Sequence, residues 1–507
     1  MRLFAALVVL VAFVGGCAHE PNPGPSLTIT PSGDAGPLAV AGPTAFDAVL
    51  VNSTSEVTWT VTGEGSLSGT TGLHIVYSPP PGTKTATLTA STADGLTATV
   101  ELESGPVTLT ASTVPGLGAP VTVTYDAQEI PHIRCQTKID CFAVQGYVHA
   151  HDRLFPMDFL RHVARAHLAE LIGVDGLSQD VQLRTLFTTR AGHRIEDDLT
   201  AAMDADTAAL LAAYAKGVNA YLRDLRKKLA AMPGEYAQLP FPTAAADIAD
   251  WTPQDTWAMA RLQQFQLSET LSQESAFGQF AAVYTAGPLA DLGKFDAWIR
   301  AAAPIGERAH TLSPAASLAS ATPVRTPLPK NLAPWQRTLA NTTLAFDALT
   351  EKLRPINATV GSNNWVVAGA KSATGKAMVA NDPHLGLQYP PLFHLSTMTS
   401  ALASDNLDLA GGAFPGIPGA LVGRGAHVGW GVTVVGYDVT DLYLEQFLPQ
   451  ANCPNAAPCV LFKGAPTSTL PVPQTFLVRT AAGLVNANTL GLPSPPPPAV
   501  LIVPHHG

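Results

Sequence analysis

A glycine followed by a serine, Gly361-Ser362, opens the run Gly361-Ser362-Asn363-Asn364-Trp365. Gly-Ser is ordinarily a loop dipeptide. A cut between the two residues would change its chemistry. Ser362 would then carry a hydroxyl and a free α-amine on one residue. Such an amine titrates at about 7.7–8.0, near the ideal for a general base at neutral pH. One residue could supply both nucleophile and base. Gly361 suits such a cut, because a residue without Cβ tolerates a strained peptide. Asn381-Asp382-Pro383-His384 follows shortly after. His384 reads either as a polar partner of the serine or as a structural residue at a strand end.

These residues need elements to hold them. Trp365-Val366-Val367 and Ala377-Met378-Val379-Ala380 are strand-like runs flanking the motif. Upstream the period is helical. Phe142, Tyr147, Leu154, Phe155, Phe159, Leu160, Val163, Leu168 and Leu171 recur at mostly helical intervals. A second helix is expected over about 206–230, with Leu210, Tyr214, Val218, Tyr221, Leu222 and Leu225 on one face. A third should follow Trp251, with Pro253 near its start, and another should span about 334–353. Between them, 303–335 is rich in Ala, Pro, Ser and Thr and reads as a linker. From about 26 to 111 the chain is rich in Thr and Val with period-2 alternation, as in Glu56-Val57-Thr58-Trp59-Thr60-Val61-Thr62. Short strands separated by regular turns predict a β-sandwich there, similar to a bacterial immunoglobulin-like module.

At 507 residues there is room for about three domains. Only 13% of residues are charged, the net charge is −10, and no long Lys/Arg block occurs. This argues against nucleic acid as a partner. Arg2 followed by the apolar run Leu3 to Val14 reads as an export signal, too short for a persuasive membrane span. It ends in Val14-Gly15-Gly16-Cys17-Ala18, which resembles a bacterial lipobox. That resemblance implies cleavage before Cys17 and lipidation of its thiol; the other reading is an ordinary secretory signal with a chance cysteine. Cys135 with Cys141, and Cys453 with Cys459, are close pairs. In an oxidising compartment such pairs read as small disulfide loops. Metal binding is the alternative, although neither pair has C-x2-C spacing.

Several segments together resemble the penicillin acylase (penicillin amidase) family of N-terminal nucleophile hydrolases. In the upstream part these are Asp126 to Ile133, Gly146-Tyr147-Val148-His149-Ala150-His151-Asp152-Arg153-Leu154, Leu168 to Gly173, Tyr214 to Tyr221, and Trp251 with Asp255. In the downstream part they are Gly361 to Trp365, Asn381 to His384, Phe414-Pro415-Gly416-Ile417-Pro418-Gly419, Trp430 to Thr433 and Asp438 to Asp441. They occur in the family's order.

The resemblance implies an α+β fold: a four-layer αββα sandwich, incomplete at its C-terminal end, beside the all-β immunoglobulin-like sandwich. The implied organisation is a signal peptide (1–16), a tether (17–25), the sandwich (26–111), an α-chain region (112–302), a linker (303–361) and the start of a β-chain (362–507). It implies self-cleavage at Gly361–Ser362 into an α/β heterodimer, with Ser362 then attacking linear amides of N-acyl compounds. His384 would hold the α-amine or its water, and the Val434 N–H would form part of the oxyanion hole. Leu385 and Val422 would line an aliphatic acyl pocket. Glu274, Asp438, Thr440 and Asp441 would bind a structural calcium ion, which suits oxygen ligands; the plain alternative for 438–441 is a solvated acidic turn. No organic cofactor is implied. The location would be the membrane surface, through a lipid anchor on Cys17, at the periplasmic face or outer surface of the outer membrane.

The family's β-chain is expected to continue past Gly507 and to supply an oxyanion-hole Asn and an Arg. A non-enzymatic relic serving as a surface binding lipoprotein is therefore the competing expectation. A metal-dependent hydrolase has little support, since no H-E-x-x-H occurs.

Overall fold

The computed structural model describes residues 24–31, 44–78, 84–126, 128–227, 229–230, 232–267, 271–285, 335–353, 361–385, 389–433, 442–491 and 497–504. The expected export signal and Cys17 lie outside these residues. The chain divides into two compact units between Gly105 and Pro106.

In the first unit, alternation of apolar and Thr residues produces strands with one buried face. β1 (Ser26–Pro31), β2 (Thr44–Val51), β4 (Ser66–Leu67) and β5 (His74–Ser78) form a sheet in the order β1-β2-β5-β4. β3 (Val57–Gly63), β6 (Lys84–Thr92) and β7 (Thr97–Ser104) form a second, ordered β3-β6-β7. Both sheets contribute to one core: Phe46, Ile75 and Tyr77 from the first, and Val57, Trp59, Leu88 and Ala90 from the second. Trp59 is almost wholly buried, and its indole N–H donates to the Gly72 carbonyl at 2.8 Å. The polar end of a buried indole is thereby satisfied.

The second unit begins slightly earlier than the expected boundary at 111. The reason is pairing: β8 (Val107–Leu109) joins β9 (Val121–Tyr125), not the first unit's sheets. β10 (Pro131–Cys135) continues that sheet. After Ser362 come β11 (Gly361–Val367), β12 (Met378–His384), β13 (His394–Ser400), β14 (Asp408–Ala413), β15 (Val422–Arg424) and β16 (Gly429–Trp430). The seven-stranded sheet runs β16-β15-β14-β13-β10-β9-β8. β10 and β13 pair in parallel, His132 opposite Thr397, whereas the neighbouring pairs are antiparallel. Strands from both sides of the Gly361–Ser362 bond therefore share one sheet.

The expected helices are present. α1 (Lys138–Ala164) is capped by Thr137, whose side chain accepts the Asp140 N–H, satisfying a free donor of the first turn. It packs on β10 and β13 and against α5 (Ala205–Arg226). Gly146 and Gly217 bring these helices into backbone contact. A Cβ on Gly217 would strike the Ala143 carbonyl, and one on Gly146 the Tyr214 carbonyl. Between them lie the shorter α2 (Ala169–Ile172), α3 (Val174–Leu186) and α4 (Ile195–Ala201). α6 (Pro253–Leu267), α7 (Leu271–Thr285) and α8 (Gln336–Leu353) follow. α8 falls inside the expected linker and packs on α7 through Leu339, Ala281 and Ala282.

Toward the C-terminal end, β17 (Cys459–Phe462), β18 (Ala465–Pro473) and β21 (Val500–Pro504) form a small sheet, and β19 (Leu477–Thr480) and β20 (Gly483–Asn486) a hairpin. The segment around that hairpin buries Phe476 and Val478 against Ala169 and Leu177 of α2 and α3. Both expected disulfides are present, Cys135–Cys141 and Cys453–Cys459, with Cα separations of 5.4 and 5.5 Å. The first ties the end of β10 to the start of α1. Among the described residues no helix is long and apolar enough to cross a membrane.

Candidate active site

Ser362 is the second residue of β11, a strand made by Trp365-Val366-Val367 and paired antiparallel with β12. In this register Gly361 faces His384 and Ser362 faces Pro383. Directly opposed residues share a face, and faces alternate along each strand. Ser362, Asn364 and Asn381 therefore lie on one face of the ribbon. Gly361, His384 and Asp382 lie on the other. The His384 ring bonds Asp382 Oδ2 at 2.9 Å. So the structure brings His384 beside the peptide before Ser362, held by a carboxylate, on the face opposite the hydroxyl.

A third segment, Gly431-Val432-Thr433, crosses the Ser362 face. The Asn381 amide binds it much as a neighbouring strand would. Its Nδ2 donates to the carbonyls of Asn363 (3.0 Å) and Val432 (2.8 Å), and its Oδ1 accepts the Val432 N–H at 3.1 Å. Thr433 Oγ1 donates to the Ser362 carbonyl at 2.8 Å. Sequence reasoning placed Asn381 and Thr433 inside motifs but assigned them no role.

The remaining candidates are placed as follows. Leu385 follows β12 and Val422 opens β15, strands of two different sheets; both residues are half-buried. Glu274 sits in the first turn of α7. Val434, Asp438, Thr440 and Asp441 lie outside the described residues. Among the described residues no cluster of three or more His, Cys, Asp or Glu could hold a metal; Glu274 is the one member of the expected calcium set that they include.

Residues in and beside the upstream motifs bind the downstream ones. Gln145 on α1 pairs with Gly419 twice, its Nε2 to the carbonyl and its Oε1 from the N–H, each at 2.8 Å. Tyr214 on α5 accepts the Gly416 N–H at 2.9 Å, and Thr256 on α6 donates to the Gly416 carbonyl at 3.0 Å. Thus Phe414 to Gly419 is held by three helices. Asn219 fixes Trp251 by a reciprocal pair, donating to its carbonyl at 2.9 Å and accepting its N–H at 2.6 Å.

The densest polar cluster surrounds Asp152. It accepts from His151 Nδ1 at 2.6 Å, from His394 Nε2 on β13 at 2.8 Å, and from the Tyr125 hydroxyl on β9 at 3.0 Å. Burial alone would push its carboxyl up, but the hydrogen bonds from His151 and His394, and their charges, hold it well below the usual carboxylate range. Beside it His149 is fully buried, bonded to the Tyr214 hydroxyl at 2.8 Å, with its ring edge-on to His394 at 4.9 Å between centroids. Burial, with the neighbouring His394, pushes its pKa far down, so His149 is neutral. Sequence reasoning missed this cluster as a unit, although His149, Asp152 and Tyr214 all stand in the motifs it singled out.

The penicillin amidase family model matches residues 120–488. The penicillin acylase 2 proenzyme of a Pseudomonas species is 30% identical over 333 residues, which is 65% of this chain and 38% of that protein. An acyl-homoserine lactone acylase of Pseudomonas aeruginosa is 28% identical over 344 residues, 66% of this chain and 35% of that protein. A solved thermostable penicillin G acylase from Alcaligenes faecalis aligns at 23% identity over 38% of this chain and 95% of that one, with a TM-score of 0.30; no fold is carried over from it. This chain spans little more than a third of the length of the two curated relatives. The family match runs from the strands before α1, across the Gly361–Ser362 bond, to the hairpin β19–β20: the chain belongs to the penicillin amidase family.

Proposed function

We propose that this chain is an acyl-amide hydrolase that releases its own nucleophile. In the first step Ser362 Oγ attacks the Gly361 carbonyl carbon. The C–N bond breaks, and the acyl group passes from the Ser362 nitrogen to its oxygen. Water then hydrolyses that ester, leaving a Gly361 carboxylate and a free Ser362 α-amine. In turnover the α-amine takes the hydroxyl proton while Oγ attacks a substrate amide. The proton passes to the leaving amine, and water releases the acid.

One observation carries this reading. The edge that begins at Gly361–Ser362 is pinned by the partner motif Asn381–His384 and by Gly431–Thr433, inside a match to a family whose 30% identical member is a proenzyme. The mixed sheet supports a heterodimer, since β10 and β13 would hold the cut chains together. The names of the relatives point to N-acyl amides, with acyl-homoserine lactones and β-lactam side chains as the first classes to try. In this reading His384, braced by Asp382, holds the α-amine or its water, Val434 N–H receives the developing oxyanion, and Leu385 and Val422 line the acyl pocket. Glu274, Asp438, Thr440 and Asp441 take the structural calcium, within a four-layer αββα sandwich. The N-terminal unit is an immunoglobulin-like spacer: its strand order and the buried Trp59 on β3 support the seven-stranded constant-type arrangement. Cys17 carries the lipid anchor.

The test is a denaturing gel and an N-terminal sequence. The expressed chain should give two fragments, the second starting at Ser362, and Ser362→Ala should remain intact. A second reading, a catalytically idle surface lipoprotein, is favoured by one observation. Trp365 and Val366, on the strand of Ser362, are 54% and 73% exposed, whereas such chemistry works best where water is excluded. A parent chain that stays in one band while folding normally would support it.

A further inference from the structure

We infer that Asn381 and Thr433 are positioning residues that hold Ser362 in place once its peptide bond to Gly361 has been cut. This rests on the proposed self-cleavage and adds how the product keeps its geometry. Cleavage turns Ser362 into a chain terminus, and termini are poorly ordered unless tied down. The ribbon β11–β12 has little packing to hold it, since Trp365, Val366, Met378 and Val379 are all exposed. A two-stranded ribbon alone is marginally stable.

What remains at the cut end is polar. Thr433 Oγ1 donates to the Ser362 carbonyl, and Asn381 Nδ2 donates to the next carbonyl, that of Asn363. Asn381 itself is locked by two further bonds to Val432, one to its carbonyl and one from its N–H. Gly431 permits this approach. A Cβ there would lie 2.7 Å from Asn381 Cβ and 2.9 Å from Asn364 Nδ2, closer than side chains pack. The clamp thus fixes consecutive carbonyls of the nucleophile strand, one from Thr433 on the third segment and one from Asn381 on β12, itself bonded to that segment. That orientation matters because the base and the nucleophile share one residue. Rotation of the Ser362 backbone would swing both away from the substrate together.

Before cleavage, Gly361 tethers Ser362 covalently and β12 pairs with both residues. Loss of the clamp should therefore harm the reaction of the mature serine far more than its release. Asn381→Ala, Thr433→Val and Thr433→Ser would be compared with the parent for precursor processing, for the thermal midpoint, and for the rate of sulfonylation of Ser362 by phenylmethanesulfonyl fluoride. That probe forms a sulfonyl ester with loss of fluoride and is followed by intact mass. Processing should stay close to parental. Labelling should fall about a hundredfold in Asn381→Ala, the usual effect of a misplacement near 1 Å. It should fall about tenfold in Thr433→Val, for one hydrogen bond, and recover in Thr433→Ser. Thr433 is exposed, so its variants carry the test even if Asn381→Ala does not fold. Parental labelling rates in Thr433→Val would overturn the clamp, as would processing, labelling and thermal midpoint falling in step. A parent chain that neither processes nor labels would overturn the acylase reading itself, and the clamp with it.

Discussion

Asp152→Asn should cost about 3–5 kcal/mol of stability at pH 7, a large share of the roughly 5–15 kcal/mol typical of a folded domain. The figure follows from the donors that converge on this carboxylate. Oδ1 accepts from His151 and the Tyr125 hydroxyl; Oδ2 accepts from His394 and the same hydroxyl. An amide retains one acceptor oxygen. Its NH2 must then face a donor, either the His151 ring or the His394 Nε2–H. One hydrogen bond to a charged group is lost, about 1.5–3 kcal/mol, and one buried donor is left unmatched, about 1–3 kcal/mol. His394 has no ready escape by changing tautomer, because its Nδ1 is buried with no partner among the described residues. The assay is urea unfolding followed by fluorescence, at pH 7 and again near pH 4. Asp152 is ionised in the fold with its pKa depressed. Its contribution is complete above the unfolded carboxyl value of about 3.9 and is lost as pH falls through the lower folded value. The parent–variant gap should therefore persist at pH 4 and narrow only in stronger acid. A gap below about 1 kcal/mol at pH 7 would refute the reasoning.

Other perturbations have equally definite outcomes. Gly217→Ala would ordinarily stabilise a helix by about 1 kcal/mol. Here the added methyl meets the backbone of α1 at Ala143, so a net loss of about 1–3 kcal/mol is expected in the same unfolding assay. His149 is neutral in the fold, while an unfolded histidine takes up a proton below about 6.5. Stability should thus be undiminished above that pH and fall below it by up to about 1.4 kcal/mol per pH unit, a slope that His149→Gln should flatten. Replacing Cys135 and Cys141 together by serine should lower stability by about 2 kcal/mol, the loop-closure value for so short a ring, measured as a shift in thermal midpoint under non-reducing conditions.

The helices and strands around the motifs were legible because each has its own period. α5 shows the expected face: Tyr214, Val218, Tyr221, Leu222 and Leu225 are buried and Leu210 is half-buried. The first unit's strands alternate as Thr and Val dictate, with Trp59 and Leu88 inward. The disulfide partners were legible too, since each pair lies six residues apart. The parallel pairing of β10 with β13 was not, because its partners are separated by more than 260 residues and no local pattern encodes a long crossover. The Asp152 cluster was hidden for the same reason: His394 is 242 residues away. Helix α8 was expected over about 334–353 and spans Gln336–Leu353, but its packing on Ala281 and Ala282 through Leu339 was not legible.

The motifs that carry the resemblance divide by task. Gly146 and Gly217 let two helices meet at their backbones. Gln145, Tyr214 and Thr256 use that rigid pair, together with α6, to grip Gly416 and Gly419. Asp152 grips His394. Gln145, Tyr214, Thr256 and Asp152 each join a segment before the Gly361–Ser362 bond to one after it. A protein that severs its own chain loses a covalent link, and the contacts that replace it must be strong enough to keep the two parts in register. Buried hydrogen bonds to a charged group and to backbone amides are suited to this, since leaving any one unmade in the interior is costly. Under the proposed self-cleavage, these upstream residues would keep the cut product whole, while the chemistry would sit at the ribbon edge at Ser362.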